Sequence, residues 1–193
     1  MQSPQTEIIE KATNLFWQKG FQAAGMRDIQ QALDMRPGSI YARFKSKEGL
    51  FQLVIEHYVT TNKEQLKAIA NSPQPLNALQ QFFVATLTST EQERYKRQCL
   101  LIKSITELEI LSKNSKQAVK NAVNTIKESF KEIIIKAIQT NTLPQTTPPD
   151  TAADWLQNQF VALRMYAQTQ NDNNAINTMV EKVFIDLQNQ WPE

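Results

Sequence analysis

The chain is poor in the residues that covalent and metal chemistry need. Among its 193 residues there is one cysteine, Cys99, and one histidine, His57. A single cysteine excludes an intramolecular disulfide and a cysteine-based metal cage. A single histidine argues against a multi-histidine metal site and against a histidine-centred nucleophilic triad. No paired-carboxylate, phosphate-loop or nucleophile motif stands out. The chain is therefore not expected to be an enzyme, or to carry a metal or cofactor.

Long apolar runs are missing as well. The apolar fraction is 41%, enough for a core, but the runs are short, as at Ile133, Ile134 and Ile135. A membrane-spanning helix needs about 20 apolar residues, so no membrane partner is expected. The first residues, MQSPQTEIIEK, lack the basic-then-apolar pattern of a secretory signal, which predicts a cytoplasmic protein.

Glycine is scarce and confined. All four glycines (Gly20, Gly25, Gly38, Gly49) lie in the first 50 residues, and no proline falls between Pro75 and Pro144. Glycine-free sequence with helical periodicity predicts long helices. Charge divides at the same place. The net charge is +2. Residues 1–50 hold seven Lys/Arg and five Asp/Glu, and residues 51–193 hold fourteen of each. The excess is concentrated between Lys19 and Lys47, with six basic and two acidic residues. A basic patch at one end of a neutral chain is the footprint expected of a DNA-contacting head.

Residues 26–44, MRDIQQALDMRPGSIYARF, read as a helix, a tight turn and a second short helix. Ile29 and Leu33 form one apolar stripe, Ile40 and Phe44 another. Pro37 suits a first helical turn. Arg36, Ser39, Tyr41 and Arg43 are left to point outward. Such a pair is a helix-turn-helix, whose second helix enters the DNA major groove.

Around it the pattern predicts only helices. Ser3-Pro4 starts the first, with Ile8, Ala12, Leu15 and Phe16 in register and Gly20 as its C-cap. Ser46 caps a helix reaching about residue 69. Further helices are predicted over about 76–87, 94–111 and 116–139, with breaks at 88–92 and 112–115. The loop TNTLPQTTPP, residues 140–149, follows, with Asp150 or Thr151 as the next cap. The last two helices carry Leu156, Phe160, Leu163 and Ala167, then Ile176, Val180, Val183 and Leu187, and form an antiparallel hairpin. Each has a second apolar edge, from Trp155, Ala162 and Tyr166 and from Met179 and Phe184, that could face a partner. Cys99 has apolar flanks, which favour a packed thiol over an oxidant sensor.

Four pieces together resemble the TetR family of transcriptional regulators: IIEKATNLFWQKGF (8–21), MRDIQQAL (26–33), GSIYARF (38–44) and SKEGLF (46–51). They cover about the first quarter of the chain. The resemblance implies an all-α fold of about nine helices. A three-helix, homeodomain-like DNA-binding head (1–45) would precede an all-helical effector-binding and dimerisation body (46–193). It implies a homodimeric, ligand-responsive regulator, a repressor released from a palindromic double-stranded operator by a small molecule.

Position by position, the resemblance implies DNA contacts at Arg36, Pro37, Gly38, Ser39, Tyr41 and Arg43. It adds Arg27 early in the second helix and a phosphate contact at Lys47. His57, Phe82, Phe83, Met165 and Tyr166 are candidates for an effector site. Trp155, Ala162, Met179 and Phe184 are candidates for a dimer interface. Two positions depart from the family pattern. Ala24-Gly25 stands where a Ser/Thr pair is usual, and Asp34 stands where glycine is usual. They leave room for an alternative: a helical ligand-binding or protein-interaction module with a degenerate DNA-binding head.

Overall fold

Prolines and small polar residues set most of the helix starts. The computed structural model describes residues 4–88, 90, 95–189 and 191. Among them are nine α-helices and no strand, the all-α fold that the pattern predicts: α1 (Pro4–Ala23), α2 (Met26–Leu33), α3 (Pro37–Phe44), α4 (Lys47–Ala70), α5 (Pro75–Leu87), α6 (Leu100–Thr106), α7 (Lys113–Gln139), α8 (Pro149–Thr169) and α9 (Asn173–Leu187). Pro37, Pro75 and Pro149 each occupy a first helical turn, where no amide is missed. Ser46 caps α4 by accepting from the Gly49 amide at 3.0 Å. Asp172 does the same for α9 through the Asn174 amide.

The chain divides into two compact units. One comprises Met1–Thr61 with Cys99–Val123, the other Asn62–Gln98 with Asn124–Glu193. In the first, Ile9, Ala12 and Phe16 of α1 are buried with Ile29, Leu33, Ile40, Phe44, Leu50, Phe51 and Val54. Phe16, Phe21 and Phe51 form an aromatic cluster, with Phe21 and Phe51 centroids 5.0 Å apart. Burying one such side chain contributes about 1.5–3 kcal/mol, more than the ~1 kcal/mol of a typical cap. Packing, rather than capping, therefore holds three short helices in place.

The second unit is built on α5, α8, α9 and the later part of α7. Phe83 stacks on Phe160 at 3.9 Å and meets Phe130 and Phe184 edge-on. Leu79, Leu87, Ile133, Leu156, Ile176 and Leu187 fill the space around them.

Three local expectations are corrected. The helix expected over about 94–111 is shorter, because residues 95–97 form a 3-10 turn, Cys99 is extended (ψ 130°) and α6 starts only at Leu100. Position 94 lies outside the described residues. The cause is on α8. Arg164 Nη1 donates to the carbonyls of Lys96 and Arg97 at 3.1 and 3.2 Å, and those carbonyls are then lost to a continuous helical ladder. Gly20 does break α1 where its C-cap was expected, but outside the left-handed helical region. It sits at φ 82°, ψ 173°, and a last helical turn follows it. The side-chain cap expected at Asp150 or Thr151 is absent, since Pro148 is the N-cap and Asp150 pairs with Lys131 instead. Of the break expected at 88–92, Thr88 ends α5, and positions 89, 91 and 92 lie outside the described residues.

Candidate nucleic-acid interface

The outward surface of α2 and α3 is made by what the two helices bury. Ile29 and Leu33 on α2 and Ile40 and Phe44 on α3 face the core. At a 3.6-residue period this leaves Arg36, Pro37, Gly38, Ser39, Tyr41 and Arg43 on the other side, and all six are exposed. Tyr41 is 51% exposed, unusual for an aromatic side chain with no role outside the protomer. Among the described residues neither Arg36 nor Arg43 forms an ion pair. The Arg43 guanidinium lies 5.7 Å from the Phe44 ring centroid.

The turn between the helices works without the usual glycine. Asp34 adopts the left-handed conformation (φ 51°, ψ 47°), and its amide donates to the Gln30 carbonyl. Asp is among the few side chains that visit this region at modest cost. Met35 N–H donates to the same carbonyl at 3.2 Å. Arg36 is the extended N-cap of α3, its carbonyl accepting from Ser39 and Ile40.

Gly38 differs from the other glycines. A Cβ there would meet nothing within 4 Å. The fold does not demand glycine at this position, so its bareness suits an outside surface that must come close.

The start of α2 replaces the missing hydroxyls differently. Gly25 is the extended N-cap. Asp28, three residues on, accepts from the Gly25 amide at 2.8 Å and pairs with Lys19 at 2.5 Å. The Lys19 hydrogen bond, and then the Gly25 amide, hold the Asp28 carboxyl below its usual value. Arg27 beside it is exposed.

Lys47 is placed unlike the others. It is half-buried, with Nζ 4.5 Å from the Phe21 ring centroid and 3.4 Å from the Gln22 carbonyl to which it donates. Burial lowers its pKa, and Glu107 and Asp28 oppose that shift.

What holds this corner from behind comes from far along the chain. Lys103 Nζ, on α6, donates to the carbonyls of Trp17 (3.2 Å) and Gln18 (2.6 Å). Glu107, just past α6, accepts from the amides of Phe21 (2.7 Å) and Gln22 (3.1 Å). Glu48 accepts from the Ser112 amide at 2.8 Å, at the start of α7. The only visible signal was an opposite-charge pair four apart at 103 and 107, which reads as an ordinary solvated pair.

The effector and interface candidates are scattered. His57 is half-buried on α4. Phe83 is fully buried, Phe82 and Tyr166 are partly buried against the same core, and Met165 is 62% exposed. Met165 therefore belongs to the outer stripe of α8, with Ala162. On α9, Met179 and Ile185 are exposed, at 41% and 58%. Phe184, expected on an outer edge, is buried against Phe83 because the α9 core stripe is wide enough to include it. Trp155 is partly buried, edge-on to Trp191.

A two-helix corner with a tight turn and an outward cationic second helix, in an otherwise helical chain, defines a helix-turn-helix protein. Residues 8–54 match the family model for bacterial regulatory proteins of the tetR family. Residues 75–183, more than half the chain, match the tetracyclin repressor-like C-terminal domain. The chain belongs to the TetR family of bacterial regulatory proteins. It is similar to the HTH-type transcriptional repressor ComR of Escherichia coli strain K12, at 28% identity over 102 residues. That match covers 52% of this chain and 49% of ComR, so the chain spans about half of ComR's length. It is also similar to the repressor DhaR of Mycobacterium sp. strain GP1, at 24% identity over 77% of this chain and 74% of DhaR. In fold it is similar to the TetR family transcriptional regulator CifR, solved as a cysteine mutant with 26-base-pair operator DNA. The TM-score is 0.79 at 20% identity, over 97% of both chains.

Proposed function

We propose that this protein is a homodimeric repressor that binds a palindromic double-stranded operator and is released from it by a small molecule. The observation that carries the reading is the surface of α3. Arg36, Pro37, Gly38, Ser39, Tyr41 and Arg43 are all exposed there, while Ile40 and Phe44 hold the helix from behind. Arg36 and Arg43 have the fork that reaches guanine O6 and N7 in the major groove. Tyr41, Ser39 and Arg27 position the head on phosphates, and Gly38 admits the backbone. Lys47 reaches phosphate by leaving the Phe21 ring, a movement of one flexible side chain. The reading head occupies residues 1–45, and the effector and dimer functions belong to 46–193. The protein works in the cytoplasm, beside the DNA.

The outer stripes of α8 and α9 support the dimer. Ala162, Met165, Met179 and Ile185 are exposed on two helices whose other faces are packed. Two copies joined there would set two α3 helices about one DNA turn apart, 34–36 Å, which calls for an inverted-repeat operator. The aromatic group around Phe82, Phe83 and Tyr166 is the apolar wall that a small-molecule effector would open. Such a molecule acts only through its difference in affinity for the free and DNA-bound states.

The test is selection of DNA from a random duplex pool, followed by binding of the R36A/Y41A variant to the selected site. Retained affinity in that variant would sink the reading and favour a module whose head no longer reads DNA. A screen for molecules that release the selected DNA then identifies the effector class. A ligand that stabilises the protein without releasing DNA is not the inducer.

A further inference from the structure

Gly20 is a hinge. Its φ of 82° and ψ of 173° lie in a region open essentially to glycine alone. Before it the chain is the long apolar-striped part of α1. After it come Phe21, which packs on Phe51, and then α2 and the DNA-facing corner. The backbone between these two parts turns at one residue with no side chain of its own, although Phe16 and Phe21 on either side both pack on Phe51.

Two side chains from far along the chain fix it instead. Lys103 holds peptide carbonyls on the near side of the hinge, at Trp17 and Gln18. Glu107 holds peptide amides on the far side, at Phe21 and Gln22. The charges are matched to what they hold. A cation meets the carbonyl end of a helix, where the dipole is negative, and a carboxylate meets free amides. The carboxylate lies against the hinge itself: a Cβ built on Gly20 would stand 2.8 Å from Glu107 Oε1. Glu107 also stands near enough to Lys47 to raise its pKa against burial.

We propose that Lys103 and Glu107 are positioning residues for operator recognition: gripping both sides of the Gly20 hinge, they set the angle of the reading corner and hence the half-site spacing the dimer accepts. Neither residue touches DNA. This inference rests on the dimeric, DNA-binding reading above.

The experiment uses the full-length protein and a set of duplexes carrying the selected half-site as an inverted repeat. One duplex has the selected spacing, and the others have one or two base pairs inserted or removed. Affinity for each is measured for wild type, the K103M/E107Q double variant and E107Q alone. E107Q keeps the shape and one acceptor oxygen, so it decides the matter if the double variant fails to fold. Wild type is expected to prefer one spacing by at least about tenfold, and the variants to lose most of that preference. Their dependence on salt should stay that of wild type, because the number of phosphates met is unchanged. General loosening of the fold would weaken binding to all spacings alike and leave the preference standing, which overturns the inference. A wild-type protein with no preferred spacing overturns the dimeric reading and this inference with it. A preference that survives in both variants overturns this inference alone.

Discussion

Helix α3 carries two exposed arginines and α7 two half-buried lysines, and the two pairs are treated in opposite ways. On α7, Lys127 and Lys131 each meet a carboxylate on α8, Asp154 at 2.8 Å and Asp150 at 2.7 Å. On α3, Arg36 and Arg43 meet none among the described residues. Pairing of Lys127 and Lys131 satisfies their charge inside the protomer and leaves little of it for a partner. The α3 arginines remain as two open forks on one face, beside a bare glycine and an exposed tyrosine. On the proposed reading, availability of a cation, not its mere presence, marks the surface that meets a polyanion.

Experiments can break this comparison in descending order of effect. The largest is ionic. If the α3 face and its flanks neutralise roughly 6–10 phosphates, operator affinity should fall ~10³–10⁵-fold between 50 and 200 mM salt. A flat salt titration by fluorescence anisotropy would mean the open cations are not used on phosphate.

Next comes a change far from the surface. Phe83→Ala removes a fully buried ring stacked on Phe160, and should cost about 3–5 kcal/mol in urea unfolding. Arg36→Ala and Arg43→Ala should show the reverse pattern. Each should lose about ten- to hundredfold in affinity for the selected site, corresponding to roughly 1–3 kcal/mol. Their unfolding midpoints should match wild type, since neither side chain is packed. An arginine variant that unfolds early would show that its charge serves the fold, as on α7.

The smallest effect concerns the paired side of the comparison. The Lys131 hydrogen bond holds the Asp150 carboxyl below its usual value. A carboxyl with a depressed folded pKa stabilises the fold above its unfolded value, about 4, and that contribution fades as pH falls through the lowered folded value. Lys131→Met should return Asp150 towards the usual carboxylate range in an NMR titration, with a barely changed midpoint at neutral pH. An Asp150 titration identical in both proteins would show that the pair does not form in solution.

The helices and the outward face of α3 were largely legible in the sequence, because both follow from local periodicity. Ile29, Leu33, Ile40 and Phe44 fix which way α2 and α3 face, and the exposed set is what remains. Asp34 and Gly25 were legible too, since their roles depend on backbone preference within a few residues. The missed features involve distant partners. The start of the long helix expected near residue 94 was displaced because Arg164, some 67 residues away, takes the Lys96 and Arg97 carbonyls. Phe184 looked like a surplus apolar edge until Phe83 was placed beside it.

The sequence by itself determined that the chain is helical, that its basic excess sits at one end, and which face of α3 is left outward. Those properties arise from side-chain spacing along single helices, where neighbours three and four apart decide the outcome. Tertiary packing supplied what holds α1 at the Gly20 kink, namely Lys103 and Glu107, 85–86 residues along the chain. Hydrogen bonds between such distant groups depend on how α6 packs on α1, and no local pattern encodes that. The same packing draws Lys47 onto the Phe21 ring, so the residue expected to reach outward for phosphate rests against the protein instead.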